Sequence, residues 1–209
     1  MTHINQNMIQ AAVDILRSGG IVVYPTETVY GIGCDPLNSN ACSRVRRLKG
    51  RSVSNHSKPF ILIADSVDRI EQFAGPLDTV PRKLARVFWP GPLTMVLIPE
   101  KQLPGYLKGP SGGVAFRVTP HPVAALLSRE FGMPLVSTSA NMTGEEPAST
   151  FDEAVRLFGG RADIILENDD PVPGGSMAGE PSTVLDLTSP TPRFLRVGAL
   201  GREEILRVL

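Results

Sequence analysis

Short β-branched runs alternate with helical patterns along the whole chain, and this alternation narrows the fold more than any other feature. Ile21 to Tyr24, Phe60 to Ala64, Thr94 to Ile98, Val114 to Val118 and Leu135–Val136 read as strands, and Ile164 to Leu166, Thr183 to Leu187 and Phe194 to Val197 continue the series. Between them, Met8 to Arg17 places Met8, Ile9, Ala12, Val13 and Leu16 on one helical face, and Gly19–Gly20 stops it. Ser39 to Lys49 is a second helix, with Ser39 as N-cap and Gly50 as stop. Ser66 to Phe73, Pro81 to Phe88, Pro120 to Phe131, Phe151 to Phe158 and Arg202 to Leu209 complete the helices. Pro81 suits a first helical position, and Thr150 with Glu153 spells a capping box. Strands interleaved with helices, without a break in composition, predict one α/β domain over residues 1–209. Pro99 to Gly113 reads as a long loop, and the Gly/Pro-rich stretch Asn168 to Pro181 as a functional loop, since the strand pattern resumes at once.

Composition removes several classes. At 209 residues with 42% hydrophobic and 20% charged side chains, the chain can bury a core without staples and does not read as disordered. Two cysteines, Cys34 and Cys42, are too few for a disulfide framework or a four-cysteine zinc site. No apolar run approaches the roughly 18 residues of a membrane span. Met1 to Gln10 is polar and lacks a signal-peptide core, so a cytoplasmic location is expected.

The zero net charge hides an asymmetry. No acid lies between Asp35 and Asp65, and that interval carries Arg44, Arg46, Arg47, Lys49, Arg51 and Lys58. Arg44, Arg47 and Arg51 would share a face if the helix ran that far. Two readings stand at this point: a solvated basic helix, or an anion site for nucleotide phosphates or RNA.

The common nucleotide signatures are missing. There is no G-x-x-x-x-G-K-S/T loop and no G-x-G-x-x-G, since Gly31-Ile-Gly33 lacks the third glycine. Gly174-Gly-Ser176-Met-Ala178 approaches a nucleophile elbow but ends on alanine and follows no strand. The three histidines, His3, His56 and His121, are scattered, so no protein-bound metal is expected. His121 between two prolines reads as a structural helix start, and His56 sits in the basic loop.

Three segments carry more side-chain donors than turns require. Tyr24 to Gly31 packs hydroxyls, a carboxylate and phenols after a strand. Ser137-Thr138-Ser139-Ala140-Asn141 ends a buried strand, where open α/β sheets bind ligands. Pro181-Ser182-Thr183 opens a strand after the glycine-rich loop.

On these residues the sequence resembles the YrdC-like family. YPTETVYGIG at 24–33, LKGR at 48–51, WPGPLT at 89–94, FRVTPHP at 116–122, PLVSTSAN at 134–141 and PSTVLDL at 181–187 occur in the family's order, and the likeness spans about residues 8–198. The resemblance implies an open, twisted, mixed β-sheet flanked by helices, in the short single-domain form. It implies a nucleotidyltransferase that makes threonylcarbamoyl-AMP and pyrophosphate from L-threonine, bicarbonate or CO2, and ATP with Mg2+. The product would feed threonylcarbamoyladenosine modification of tRNA by a separate transferase complex.

Carried over position by position, Lys49 and Arg51 would hold the ATP phosphates, with Lys58, Ser139, Asn141 and Arg196 also on the nucleotide. Thr26, Tyr30, Arg117, Ser137 and Ser182 would hold threonine, with Arg117 on its carboxylate. Glu27 is the nearest acid, and pairing with an arginine is its simplest role. The sequence departs from the family in two places. Ser52 stands where many members have proline, with a longer stretch to Lys58-Pro59, and Ile63 stands near where some members have histidine. Two competing readings are a non-catalytic RNA-binding paralog and a carbamoyl-transfer domain of the hydrogenase-maturation type, which is normally part of a much longer chain.

Overall fold

The computed structural model describes residues 5–50, 59–167 and 180–209. Arg51, Ser52, Asn55, His56, Lys58 and the Gly174–Ala178 motif lie outside the described residues. The helices are α1 (Gln6–Arg17), α2 (Ser39–Leu48), α3 (Val67–Ala74), α4 (Thr79–Phe88), α5 (Pro122–Phe131), α6 (Phe151–Phe158) and α7 (Arg202–Leu206). The strands are β1 (Val22–Tyr24), β2 (Gly31–Cys34), β3 (Ile61–Ala64), β4 (Leu93–Leu97), β5 (Val114–Val118), β6 (Leu135–Ser139), β7 (Ile164–Ile165), β8 (Thr183–Asp186) and β9 (Arg193–Arg196). They form one open sheet in the order β7-β1-β2-β6-β3-β5-β4-β8-β9. β1–β7, β3–β5 and β4–β8 pair in parallel and the other neighbours antiparallel, so the sheet is mixed as expected.

Side chains alternate along each strand, and the two faces are covered unequally. One face carries Ile32, Val136, Leu62, Phe116, Met95 and Leu185, packed under apolar residues of α2, α3, α4, α6 and α7. The opposite face carries Val22, Tyr24, Leu135 and Ile63, which are covered by Ile9, Val13 and Leu16 of α1 and Val123 and Leu127 of α5. Among the described residues these two helices cover only one end of that face. Ile63 therefore lies in the core beneath them, and the rest of the face is left for a cleft.

Cap chemistry sets most helix ends. Asn5 accepts from Asn7 N and Met8 N, so α1 begins two residues before the first apolar position. Asn38 rather than Ser39 caps α2, accepting from Ala41 N at 3.0 Å. Gly50, at φ +66°, turns the chain out of α2 as its position predicts. α4 starts at Thr79, which places Pro81 third rather than first; a proline there still costs nothing, because that N–H has no partner within the helix. α5 starts at Pro122 and not Pro120, because His121 is the cap: its Nδ1 accepts from Val123 N at 3.2 Å. Thr150 caps α6, and the Glu153 carboxylate returns to Ser149 N at 2.7 Å.

β2 is a strand that sequence patterning misses. Two of its four residues are glycine, a residue that weakens strands unless something approaches closely. That something is Tyr24. A Cβ on Gly33 would stand 2.7 Å from Tyr24 Cε1 and 2.8 Å from the Val136 carbonyl oxygen. The tyrosine from β1 lies across β2, so only glycine fits beneath the ring. The predicted Pro99–Gly113 loop holds one short 3-10 turn, Gly105–Leu107, and α7 ends at Leu206, short of the chain terminus.

Candidate active site

The uncovered part of the sheet face forms a cleft of about 640 Å³. Its floor is apolar and follows from register. Ile61 pairs with Ser137 and Ala115, Ala115 pairs with Val96, and Thr94 pairs with Val184, which pairs with Arg196. These positions share one face and run across six strands. The polar walls come from the 26–31 turn, the end of β6, Arg117 on β5, and Ser182 with Arg196 at the β8–β9 edge.

The turn after β1 is closed by its own hydroxyls. Thr26 Oγ1 donates to the Val29 carbonyl at 2.6 Å and accepts from Thr28 N and Val29 N at 3.2 and 3.3 Å. Its proton is thus spent and both of its lone pairs face backbone N–H groups, so the Thr28 hydroxyl, 3.1 Å away, is not held in one orientation by it. Tyr30 ties this turn to the segment after β6: its N–H donates to the Ala148 carbonyl at 2.9 Å, and its carbonyl accepts from Ala140 N at 2.8 Å.

Arg117 is buried, and its Nη1 stands 3.1 Å from Glu27 Oε1. Glu27 Oε2 accepts from Thr119 Oγ1 at 2.7 Å, and Thr119 Oγ1 accepts from His121 N at 3.1 Å. Glu27 therefore does what its simplest reading expects and pairs with an arginine. Burial lowers the His121 pKa to about 4, against an upward pull from Glu27, so the imidazole is neutral near pH 7 and its Nδ1 is free to cap α5. Arg117 Nε is buried without a hydrogen-bond partner among the described residues. Burial raises the Tyr24 phenol well above its ordinary range, with Ser137 and Arg117 acting against it, so it stays protonated.

Across the cleft, Arg196 Nε donates to the Ser182 carbonyl at 2.9 Å and its Nη2 to Ser182 Oγ at 3.2 Å. Its pKa is lowered, first by burial and then by Arg117. Two guanidiniums that feel each other across an apolar floor favour an anion between them.

Lys49 and its partners occupy a different wall. Lys49 is fully buried at the end of α2, and its Nζ donates to the carbonyls of Ser139 and Asn141 and, at 2.8 Å, to Asn141 Oδ1. Asn141 Oδ1 also accepts from Ser139 Oγ at 2.6 Å, and Asn141 Nδ2 donates to the Glu145 carbonyl at 2.6 Å. The basic interval is thus neither a solvated stripe nor a single anion site among its described residues. Arg44 pairs with Asp163 at 3.0 Å, and buried Arg46 lies 4.5 Å from the Phe60 ring centre and donates to the Tyr106 carbonyl at 3.1 Å.

Of the residues expected at the site, Thr26, Tyr30, Arg117, Ser137, Ser139, Ser182 and Arg196 line one cleft. Lys49 and Asn141 stand together beneath the end of β6 and are joined to the cleft through Ser139. Sequence reasoning did not reach Thr94 or Thr119. Both read as ordinary β-branched residues, and only their hydroxyl partners reveal them. Among the described residues no group of three or more His, Cys, Asp or Glu side chains is placed to hold a metal, and no helix is long and apolar enough to cross a membrane.

Known proteins place this geometry. The Sua5/YciO/YrdC family, described as telomere recombination, matches residues 14–198. The threonylcarbamoyl-AMP synthase of Coxiella burnetii is 44% identical over 161 residues, 76% of this chain and 84% of that protein. That of Nitrosococcus oceani is 43% identical over 178 residues, 85% of this chain and 92% of that protein. P. abyssi Sua5 complexed with L-threonine superposes at a TM-score of 0.88 with 34% identity over 99% of this chain, which spans only 58% of the Sua5 chain. E. coli YciO superposes at 0.82 with 29% identity, covering 96% and 93% of the two chains. Full-length HypF, 19% identical at a TM-score of 0.71, shares the fold alone. The match over most of its length, in sequence and in shape, makes this chain a member of the Sua5/YciO/YrdC family.

Proposed function

We propose that this protein is a threonylcarbamoyl-AMP synthase, forming threonylcarbamoyl-AMP and pyrophosphate from L-threonine, bicarbonate or CO2, and ATP. The observation that carries the reading is the cleft itself, in which Arg117 and Arg196 face a hydroxyl-lined, apolar-floored space at the strand ends. Two relatives named as this synthase, matched over most of their lengths, support the same conclusion.

The chemistry suits such a site. The threonine amine adds CO2 to give a carbamate; a carbamate oxygen then attacks the α-phosphorus of ATP, and pyrophosphate leaves. The protein's task is to hold several anions together and neutralise charge as it grows. Positioning contributes up to roughly 7–11 kcal/mol in favourable cases, and one preorganised donor roughly 3–4 kcal/mol. On this reading Arg117, with Thr26, Tyr30, Ser137 and Ser182, holds threonine. The carboxylate goes toward the guanidiniums, and the Thr28 hydroxyl faces the substrate from the turn. Ser139, Asn141 and Arg196 contact the nucleotide, and Lys49 with Arg51 and Lys58 serves the phosphates. For Lys49 this requires its ammonium to exchange an Asn141 contact for a phosphate oxygen. Glu146 at the rim and ion-paired Glu27 do not make an acidic cage, so Mg2+ would enter on the ATP phosphates and not on protein ligands.

The product is consumed by a transferase acting on tRNA, in the cytoplasm. The RNA-binding alternative loses support where Arg44 and Arg46 are absorbed by internal contacts. The test is pyrophosphate release from ATP and bicarbonate, with and without L-threonine and with L-serine as control. The expected result is release that depends on threonine; ATP binding without release would overturn the reading.

A further inference from the structure

Thr94 is fully buried on β4, beneath the cleft wall and not in it. Its hydroxyl has a single partner among the described residues, Ser182 Oγ at 2.9 Å. Ser182 lines the cleft, and its oxygen also receives Arg196 Nη2 at 3.2 Å. Distances alone leave open which threonine or serine oxygen donates. The hydrogen-bond count decides it. If Ser182 donated to Thr94, the Thr94 proton would be buried without an acceptor, which costs the full desolvation of that group. If Thr94 donates, the proton sealed beneath the wall has its acceptor, and the one left over belongs to Ser182, which lines the cleft. Ser182 Oγ then accepts twice, from Thr94 and from Arg196, both lone pairs are occupied, and its own proton has only the cleft to point into.

We infer that Thr94 is a positioning residue that makes Ser182 an obligate hydrogen-bond donor to an anionic oxygen of the substrate. Two donated bonds also polarise the Ser182 hydroxyl and strengthen it as a donor. The identity of that oxygen as the threonine carboxylate rests on the function proposed above; the direction of the proton does not.

Two measurements test the inference. Neutron diffraction from deuterated wild-type crystals should place the Thr94 deuterium on the line to Ser182 Oγ and the Ser182 deuterium toward the cleft. A Ser182 deuterium on the line to Thr94 overturns the inference whatever the protein's activity. In kinetics, Thr94→Val should raise KM for threonine about fivefold with kcat within about twofold, the scale of one ordinary hydrogen bond. Thr94→Ser, which restores the hydroxyl, should return KM to the wild-type value. In a Ser182→Ala background Thr94→Val should have no further effect. An undiminished effect in that background, or failure of Thr94→Ser to rescue, would show that Thr94 does not act through Ser182. Wild-type protein without threonine-dependent turnover would overturn the proposed function and leave the deuterium positions to decide this inference.

Discussion

At the scale of single residues, the site is organised by where protons and charges are already committed. Arg117 was the expected partner of a substrate carboxylate, and the structure gives it a resident one. The Glu27 pair fixes the guanidinium at 3.1 Å while Nε has no partner among the described residues, so the arginine is held in place with donor capacity left. Glu27→Gln should leave a buried cation uncompensated and lower unfolding free energy by about 3–5 kcal/mol in denaturant titration. A loss below about 1 kcal/mol would mean that the pair is solvated and contributes little. His121 gives a pH signature. Its folded pKa of about 4 lies below the ordinary 6.5, so between these values the unfolded chain binds the extra proton. Stability should fall as pH drops from about 6.5 to 4, by about 3 kcal/mol from this group. His121→Asn, which keeps a capping side chain without titrating, should flatten that window in urea melts at stepped pH. Of these details the sequence announces only residue types: it places Glu27 beside a turn and His121 at a helix start, but nothing in it pairs Glu27 with Arg117, ninety positions away.

At the scale of elements, the strands with β-branched runs and the helices with caps were readable because each carries its signal locally. β2 was not, because its signal belongs to another strand. Gly31 and Gly33 read as turn residues until Tyr24 of β1 is laid over them. Gly33→Ala should therefore destabilise the fold by about 1–3 kcal/mol, since the added methyl meets the Tyr24 ring and the Val136 carbonyl, and carbonyls do not yield. In a Tyr24→Ala background, itself less stable, Gly33→Ala should cost less than in the wild type but still cost something, because only one of the two obstacles is gone; no cost there would mean the carbonyl contact is unimportant. The same locality explains the helix starts. Ser39 and Pro120 look like boundaries by type, but Asn38 and His121 hold the geometry that accepts an N–H.

At the scale of the whole molecule, function comes from unequal coverage of one sheet. Five helices bury one face, while α1 and α5 cover only one end of the other. The cleft is what remains, and its floor follows from strand register, which a sequence does not print. The donor-rich segments at 24–31, 134–141 and 181–184 pointed to a site only when taken together, and 116–122 only through the family resemblance; the strand order brings them to one wall-and-floor arrangement. Because burial first and Arg117 second lower the pKa of Arg196, an occupying anion should stabilise the fold. Threonine and ATP together at about 100 times their Kd should add about 2.7 kcal/mol each in the simple linkage limit, and raise Tm accordingly. No shift with either ligand would mean that the folded protein does not bind them.

The central claim, that one cleft joins threonine, bicarbonate and ATP, is tested most directly by following the carbon. Purified protein is given carbon-13 bicarbonate, L-threonine and ATP, and the products are read by mass spectrometry. The expected product contains threonine, AMP and the labelled carbon, and pyrophosphate appears in equal amount. Labelled carbon in no adenylate, or pyrophosphate formed without threonine, would contradict the account.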